Sequence, residues 1–237
     1  MDSGGIALLY IKKFQPTKEV ADEISRVKRD CQFHSARDMF DSLDKSFIRA
    51  SLIAEQHGLC AYCMRRIRND TNMTIEHWRP IDIDENGALD YDNMLGVCDG
   101  GRRAGTMVET PHVLCCDASK GDRAITINPC NPEHMSKIRY STDGHIYTYP
   151  RDEILEKDIN EVLHLNGEKG LDTSTRLLRS RREAYRAYES FIGSLSRSKK
   201  LSRSVIEKKI RHIENQETYD ELAGVILYFL KRKLKQL

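Results

Sequence analysis

Between Ala36 and about His57, apolar residues fall at Met39, Phe40, Leu43, Phe47, Ile48, Leu52 and Ile53, and Gly58 follows as a stop signal. This three-and-four spacing predicts one amphipathic helix. A shorter helix is predicted from Thr17 to about Cys31, capped by Thr17, with Val20, Ile24 and Val27 as its apolar stripe. From Gly58 to Pro132 the helical period disappears. There Cys, Gly, Asp and Asn interrupt short apolar pieces such as Met73–Trp78 and Met94–Val97, the pattern of a small β-rich unit. In Ile138–Tyr149 the segment Thr142-Asp143-Gly144-His145 separates two apolar runs, a hairpin signal. Helical spacing resumes from Arg151 to about Leu165 through Ile154, Leu155, Ile159, Val162 and Leu163, until Gly167 and Gly170 break it. Two long helices are expected over Thr173–Leu195 and Ser204–Leu237, with the Ser/Lys-rich stretch Ser196–Ser202 between them. No internal repeat and no alternating βαβ pattern is visible, so the expected class is α+β.

The chain has 237 residues, 39% of them hydrophobic, and a mean hydropathy of −0.58, enough apolar material for a core and too much for a disordered chain. No run approaches the roughly 18 apolar residues of a membrane span, and Ile6–Ile11 has no basic region before it. A soluble, unsecreted, cytoplasmic protein with no membrane partner is expected. The net charge of +2 conceals segregation. Residues 1–59 carry 9 basic and 9 acidic side chains, residues 60–175 carry 13 and 20, and residues 176–237 carry 16 and 7. An acidic middle is thus followed by a basic tail. The tail places Arg176, Arg179, Arg181, Arg182 and Arg186 on one helix and ends another with Lys231-Arg-Lys-Leu-Lys235, where a phosphate backbone or an acidic partner surface could lie. The stripe Val225, Ile226, Phe229 and Leu230 is read as core.

Seven Cys, an odd number with two adjacent, suit metal-binding thiols in a reducing compartment better than a disulfide scaffold. Cys60-Ala-Tyr-Cys63 has the spacing of a zinc knuckle, and the competing redox reading lacks its βαβ setting. A second pair comes from Cys98 and either Cys115 or Cys116. Cys31, Cys130 and the spare member of the adjacent pair read as buried or partly buried thiols, and His112 as a solvated loop residue or a substitute ligand. Glu76 precedes His77 in Thr74-Ile-Glu-His-Trp-Arg-Pro80, and an extended strand would send these two side chains to opposite faces. Asn93 stands five residues before Cys98, and Cys116-Asp-Ala-Ser-Lys120 places a carboxylate after a Cys and a Lys one helical turn on.

The order Cys-x-x-Cys, acid-His, Asn-(Leu/Met)-x-x-x-Cys, Cys-x-x-x-Lys resembles the HNH endonucleases, with their ββα-metal core and four-cysteine zinc site. Leu52–Cys63, Ile75–Pro80 and Ile127-Asn-Pro-Cys-Asn-Pro132 look more narrowly like the HNH subunits of retron and Septu-type anti-phage systems. The resemblance covers about Tyr10 to Arg182. It implies a nuclease core over residues 59–150, between an N-terminal helical segment 1–58 and a C-terminal helical, basic region 151–237. It implies His77 as general base, Glu76 and Asp117 holding Mg²⁺ or Mn²⁺, and Lys120 touching phosphate. Asn93 would brace the loop and orient His77 by a hydrogen bond. Cys60, Cys63, Cys98 and Cys116 would hold structural Zn²⁺, Cys116 being preferred because it keeps Asp117 and Lys120 in register. Two departures stand out: Asp117 replaces the usual Asn or His, and an insertion of about 14 residues precedes Cys116. The partners implied are a nucleic-acid substrate, contacted also by Arg79, Arg179 and Arg182, an ATPase subunit, and a retron reverse transcriptase with its multicopy single-stranded DNA (msDNA). A catalytically inactive binding or adaptor subunit is the rival reading.

Overall fold

The structure is a computed structural model that describes residues 10–30, 35–68, 72–103 and 113–237. Cys31, His112 and the apolar residues before Tyr10 lie outside the described residues. Helix α1 (Lys18–Arg29) starts on Thr17, whose side chain accepts from the Val20 amide, and buries Val20, Ile24 and Val27 as the spacing requires. The single helix expected over 36–57 is two, α2 (Ala36–Asp41) and α3 (Lys45–Glu55). Short polar side chains make that break. Ser42 Oγ donates to the Asp38 carbonyl at 2.7 Å, Asp44 accepts from the Ser46 amide at 3.0 Å, and the Asp44 amide donates to Glu23 at 2.6 Å. The helix ends are thereby satisfied, while Leu43 stays buried and carries the apolar spacing across the break.

Strands β1 (Met73–His77) and β2 (Met94–Cys98) pair antiparallel, from Met73 opposite Cys98 to His77 opposite Met94. Both faces of this ribbon are covered, so its strands read as apolar pieces rather than as alternation. Two 3-10 turns, Glu85–Leu89 and Tyr91–Asn93, fill the connection, and the short helix α4 (Cys116–Lys120) packs on β2. Gln56, at the end of α3, ties these parts together. Its side-chain nitrogen donates to the carbonyls of Leu59 and Gly96, and its oxygen accepts from the Gly96 amide at 2.7 Å.

Helix α5 (Pro132–Lys137) is capped by Asn131, which gives part of the Asn-Pro-Cys-Asn-Pro stretch a structural role. The expected hairpin is β3 (Ile138–Tyr140) paired with β4 (Ile146–Thr148). At its turn Gly144 has φ +94°, and a Cβ there would stand 2.3 Å from the Leu178 carbonyl. Helix α6 (Glu153–Lys157) runs on into a π-helical turn, Asp158–Val162. Helix α7 (Leu177–Arg197) follows, and the single helix expected over 204–237 is again two, α8 (Arg203–Glu214) and α9 (Ala223–Leu234). Between them the chain docks on the end of α3. The Tyr219 amide donates to the His57 carbonyl at 3.0 Å, their rings stack at 4.1 Å, and the Leu222 amide donates to the Met64 carbonyl at 3.0 Å. No apolar residue occupies 214–218, so nothing favoured continuing the helix through them. Helix α9 lies against α7, α8 and β3, with Tyr185 and Tyr188 on Phe229 at 4.6 and 5.4 Å. Val225, Phe229 and Leu230 are core, as expected, and Ile226 is partly buried against it. Buried apolar side chains from Ile11 to Leu230 form one cluster. Among the described residues no helix is long and apolar enough to cross a membrane.

Candidate metal centre and adjoining acid-base cluster

The Cys60–Cys63 segment is a knuckle closed on itself. The Cys60 amide donates to the Arg65 carbonyl at 2.8 Å, the Met64 amide returns to the Cys60 carbonyl at 3.0 Å, and the Ala61 amide fixes the turn to Gly96 at 3.0 Å. Cys98, the last residue of β2, and Cys116, the first of α4, bring their thiols to the same point. The four buried sulfurs lie within 4.8 Å of one another, with Cys60–Cys116 at 4.0 Å and Cys63–Cys98 at 3.6 Å. Tetrahedral zinc with bonds of about 2.3 Å requires sulfurs roughly 3.8 Å apart. These separations bracket that value and are far too long for disulfides, and all four cysteines are free. Four buried thiols so close can hold a metal ion.

The backbone separates the adjacent cysteines. Cys115 is extended, with φ −137°, whereas Cys116 takes φ +55°. Consequently Cys116 joins the cluster, while the Cys115 thiol, at the cluster's edge beside those of Cys98 and Cys116, donates to the Gly100 carbonyl at 3.6 Å and lies 3.4 Å from Thr175 Oγ1. Gly100, at φ +60°, lets this turn approach, for a Cβ there would meet the Cys115 carbonyl at 2.0 Å. Cys130 is partly buried, and burial pushes its thiol up to about 12.

Next to the thiols, at the far end of the ribbon, lie the charged residues singled out in the sequence. Glu76 faces the knuckle and α4. Tyr62 Oη donates to its Oε1 at 3.2 Å, and Lys120 Nζ sits 2.6 Å from the same oxygen. Burial raises the Glu76 carboxyl to about 8; Lys120 pulls it down and the neighbouring Asp117 pushes it further up. Asp117, in the first turn of α4, pairs with Arg102 at 3.1 Å. His77 points the other way, as strand geometry demands. Its Nε2 donates to the Ala88 carbonyl at 3.0 Å, which leaves Nδ1 as the basic nitrogen, and the Phe40 ring stands edge-on at 4.6 Å. Burial holds this imidazole below its ordinary value, so it is neutral at pH 7.

Two expected roles are altered by this geometry. Lys120 is only 1% exposed and spends its ammonium on Glu76 and on the His77 carbonyl at 3.2 Å, so it is not placed to meet a phosphate from solvent. Asn93 makes no direct bond to His77. Its Oδ1 accepts from the Arg79 amide at 2.8 Å, and its Nδ2 donates to the carbonyls of Arg79 at 2.9 Å and Gly87 at 3.2 Å. It braces the loop whose Ala88 carbonyl orients the imidazole. Tyr62, Arg102, Ala88 and Phe40 were missed as contributors, because each acts through a contact between separate elements; only Tyr62, inside the knuckle, stood near a signal. Arg79 is exposed and 3.6 Å from Asp84, Arg179 pairs with Glu183 at 2.9 Å, and Arg182 donates to the Asp143 carbonyl at 3.3 Å. No family model matches the sequence, and no curated protein matches it.

Proposed function

We propose that the chain is a metal-dependent endonuclease of the HNH type, built on β1, β2 and α4 as a ββα-metal core stapled by zinc on Cys60, Cys63, Cys98 and Cys116. The observation that carries this reading is convergence. Four sequence elements spread over residues 60–120 meet around one short ribbon, with the thiols toward its Cys98 end, a neutral imidazole at its His77 end, and the carboxylates of Glu76 and Asp117 between the knuckle and α4. Glu76 and Asp117 offer the oxygen ligands that Mg²⁺ or Mn²⁺ prefers. When bound, such an ion supplies charge stabilisation at the phosphate and the leaving oxygen. In this reading His77 Nδ1 takes the proton of the attacking water, which requires the scissile phosphate to reach from the Glu76 face to the His77 face around the end of β1, and the Ala88 carbonyl keeps the proton on Nε2 and the ring in place. The loop that carries Ala88 is held in turn by Asn93.

Lys120 must turn aside from Glu76 Oε1 for that carboxylate to use both oxygens. The Lys120 pairing is also the observation that favours the second reading, an inactive zinc-stabilised subunit that binds nucleic acid or an ATPase. DNA is the preferred substrate and RNA, including tRNA, the alternative. The partners in this reading are the ATPase subunit and the retron reverse transcriptase with its msDNA. The test is cleavage of DNA and RNA by zinc-loaded protein, with and without Mg²⁺ and with and without the neighbouring-gene product. His77→Ala is expected to abolish cleavage while zinc content and circular dichroism stay at wild-type values. Full activity in that variant would remove His77 as the base, and no cleavage by wild-type protein with any divalent ion or partner would favour the inactive subunit.

A further inference from the structure

At the Cys98 end of the β1–β2 ribbon, opposite His77, a cavity of about 270 Å³ opens between the knuckle and the start of α7. Arg65, Arg66, Arg103, Asp99, Ser174 and Thr175 are among its lining residues. None of its arginines enters an ion pair among the described residues, a state they share with Arg123, Arg139 and Arg182, which also bond backbone carbonyls. Arg37, Arg102 and Arg179 each meet a carboxylate within 3.1 Å. Arg65 instead donates to the Thr175 carbonyl at 2.5 Å, and the Arg66 guanidinium donates to the carbonyls of Gly58 and Tyr219. Arg103 is exposed and enters no ion pair among the described residues.

A backbone carbonyl orients a guanidinium without neutralising it. Three positive charges therefore surround a cavity with one lining carboxylate, Asp99, whose Oδ1 already accepts from the Gly101 amide at 3.3 Å. Planar guanidinium forks suit phosphate oxygens. The five-residue ribbon sets this cavity roughly 14 Å from the His77 end, about four base steps along a duplex axis.

We propose that this cavity binds a backbone phosphate of the nucleic-acid substrate a few nucleotides from the scissile bond, and so acts as a positioning contact. The ligand class rests on the nuclease reading above. The test measures binding of a fluorescein-labelled DNA duplex to full-length, zinc-loaded protein by anisotropy over a range of salt, with no divalent ion added. Arg103→Glu is expected to weaken binding at least about eightfold at 0.1 M salt and to lower the slope of log affinity against log salt by at least about one, since one phosphate contact is lost and a negative charge takes its place. Arg103→Lys, which keeps the charge, is expected to keep that slope. Zinc content and circular dichroism certify both variants as folded.

Wild-type affinity and slope in Arg103→Glu would overturn the proposal, as would the absence of duplex binding by the wild-type chain. Mg²⁺-dependent cleavage is scored separately. A protein that cleaves but binds independently of Arg103 loses the cavity and keeps the nuclease reading. One that binds through Arg103 without cleaving keeps the cavity and loses the nuclease reading.

Discussion

Glu76 is the residue whose chemistry depends most on its surroundings. With its carboxyl at about 8 when folded and 4.5 as the ordinary value, the metal-free folded chain holds an extra proton between those values. Its contribution to stability is therefore whole below 4.5 and is lost as pH rises through 8. In the proposed site a divalent ion would have to displace that proton. Apparent Mg²⁺ affinity is expected to rise by up to about tenfold per pH unit between pH 6 and 8, and to lose this dependence in Glu76→Gln. Calorimetric titration at three pH values checks it; a flat profile in the wild type would remove Glu76 as a ligand. The adjacent cysteines give a second contrast. Cys60→Ser is expected to lose zinc and solubility, whereas Cys115→Ser, whose thiol faces Gly100 and Thr175, should retain one zinc per chain by elemental analysis. The four ligands were legible as types at a spacing. The choice of Cys116 came from register in the sequence, while the opposed backbone conformations that separate the two thiols are a tertiary property.

At the scale of elements, most of the fold was readable where the apolar period was strong. Helix α1 with its Thr17 cap, the β3–β4 hairpin and the α7 region follow from local pattern, as do the apolar pieces of β1 and β2. The two overlong helices failed for one reason: an apolar period survives a break when both pieces pack on the same core, so spacing alone does not see the polar caps that interrupt it. The break before α3 has a consequence for the candidate site, because it frees α2 to pack on the 3-10 turn Glu85–Leu89 and set Phe40 against His77. Arg37 of α2 pins this arrangement to Asp82 at 2.9 Å. Phe40→Ala is expected to cost about 3 kcal/mol of stability and to expose His77. Thermal unfolding measures the first and the rate of diethylpyrocarbonate modification of His77 the second. An unchanged modification rate would mean that α2 does not cover the imidazole.

At the scale of the molecule, the thiol cluster holds more than its own small unit. The knuckle backbone receives the Leu222 amide at Met64, and the Arg66 guanidinium grips the Tyr219 carbonyl, so the entry to α9 is built on the segment that carries two of the four clustered thiols. Chelation of zinc is therefore expected to loosen α8 and α9 together with the ribbon. Hydrogen exchange would register this as faster exchange in 203–234; loss of protection confined to 59–120 would show the C-terminal helices standing alone. The segregated charge has a related meaning. The acidic middle contains the carboxylates beside the thiols, while several of the chain's basic side chains are drawn into pairs, Arg179 with Glu183, Arg203 with Glu207 and Lys231 with Glu214. What the sequence determined by itself was chemistry of type and order: cysteines at a metal-binding spacing, an acid-histidine pair on a strand-like segment, an asparagine, and a carboxylate and a lysine one helical turn apart, each set by local spacing. Only the tertiary structure decided which atoms meet. Lys120 is buried against Glu76, Asn93 acts through a loop, and three arginines face a cavity with their charge unspent. These outcomes depend on contacts between distant segments and on the exclusion of water, and neither is encoded in the spacing of residues along the chain.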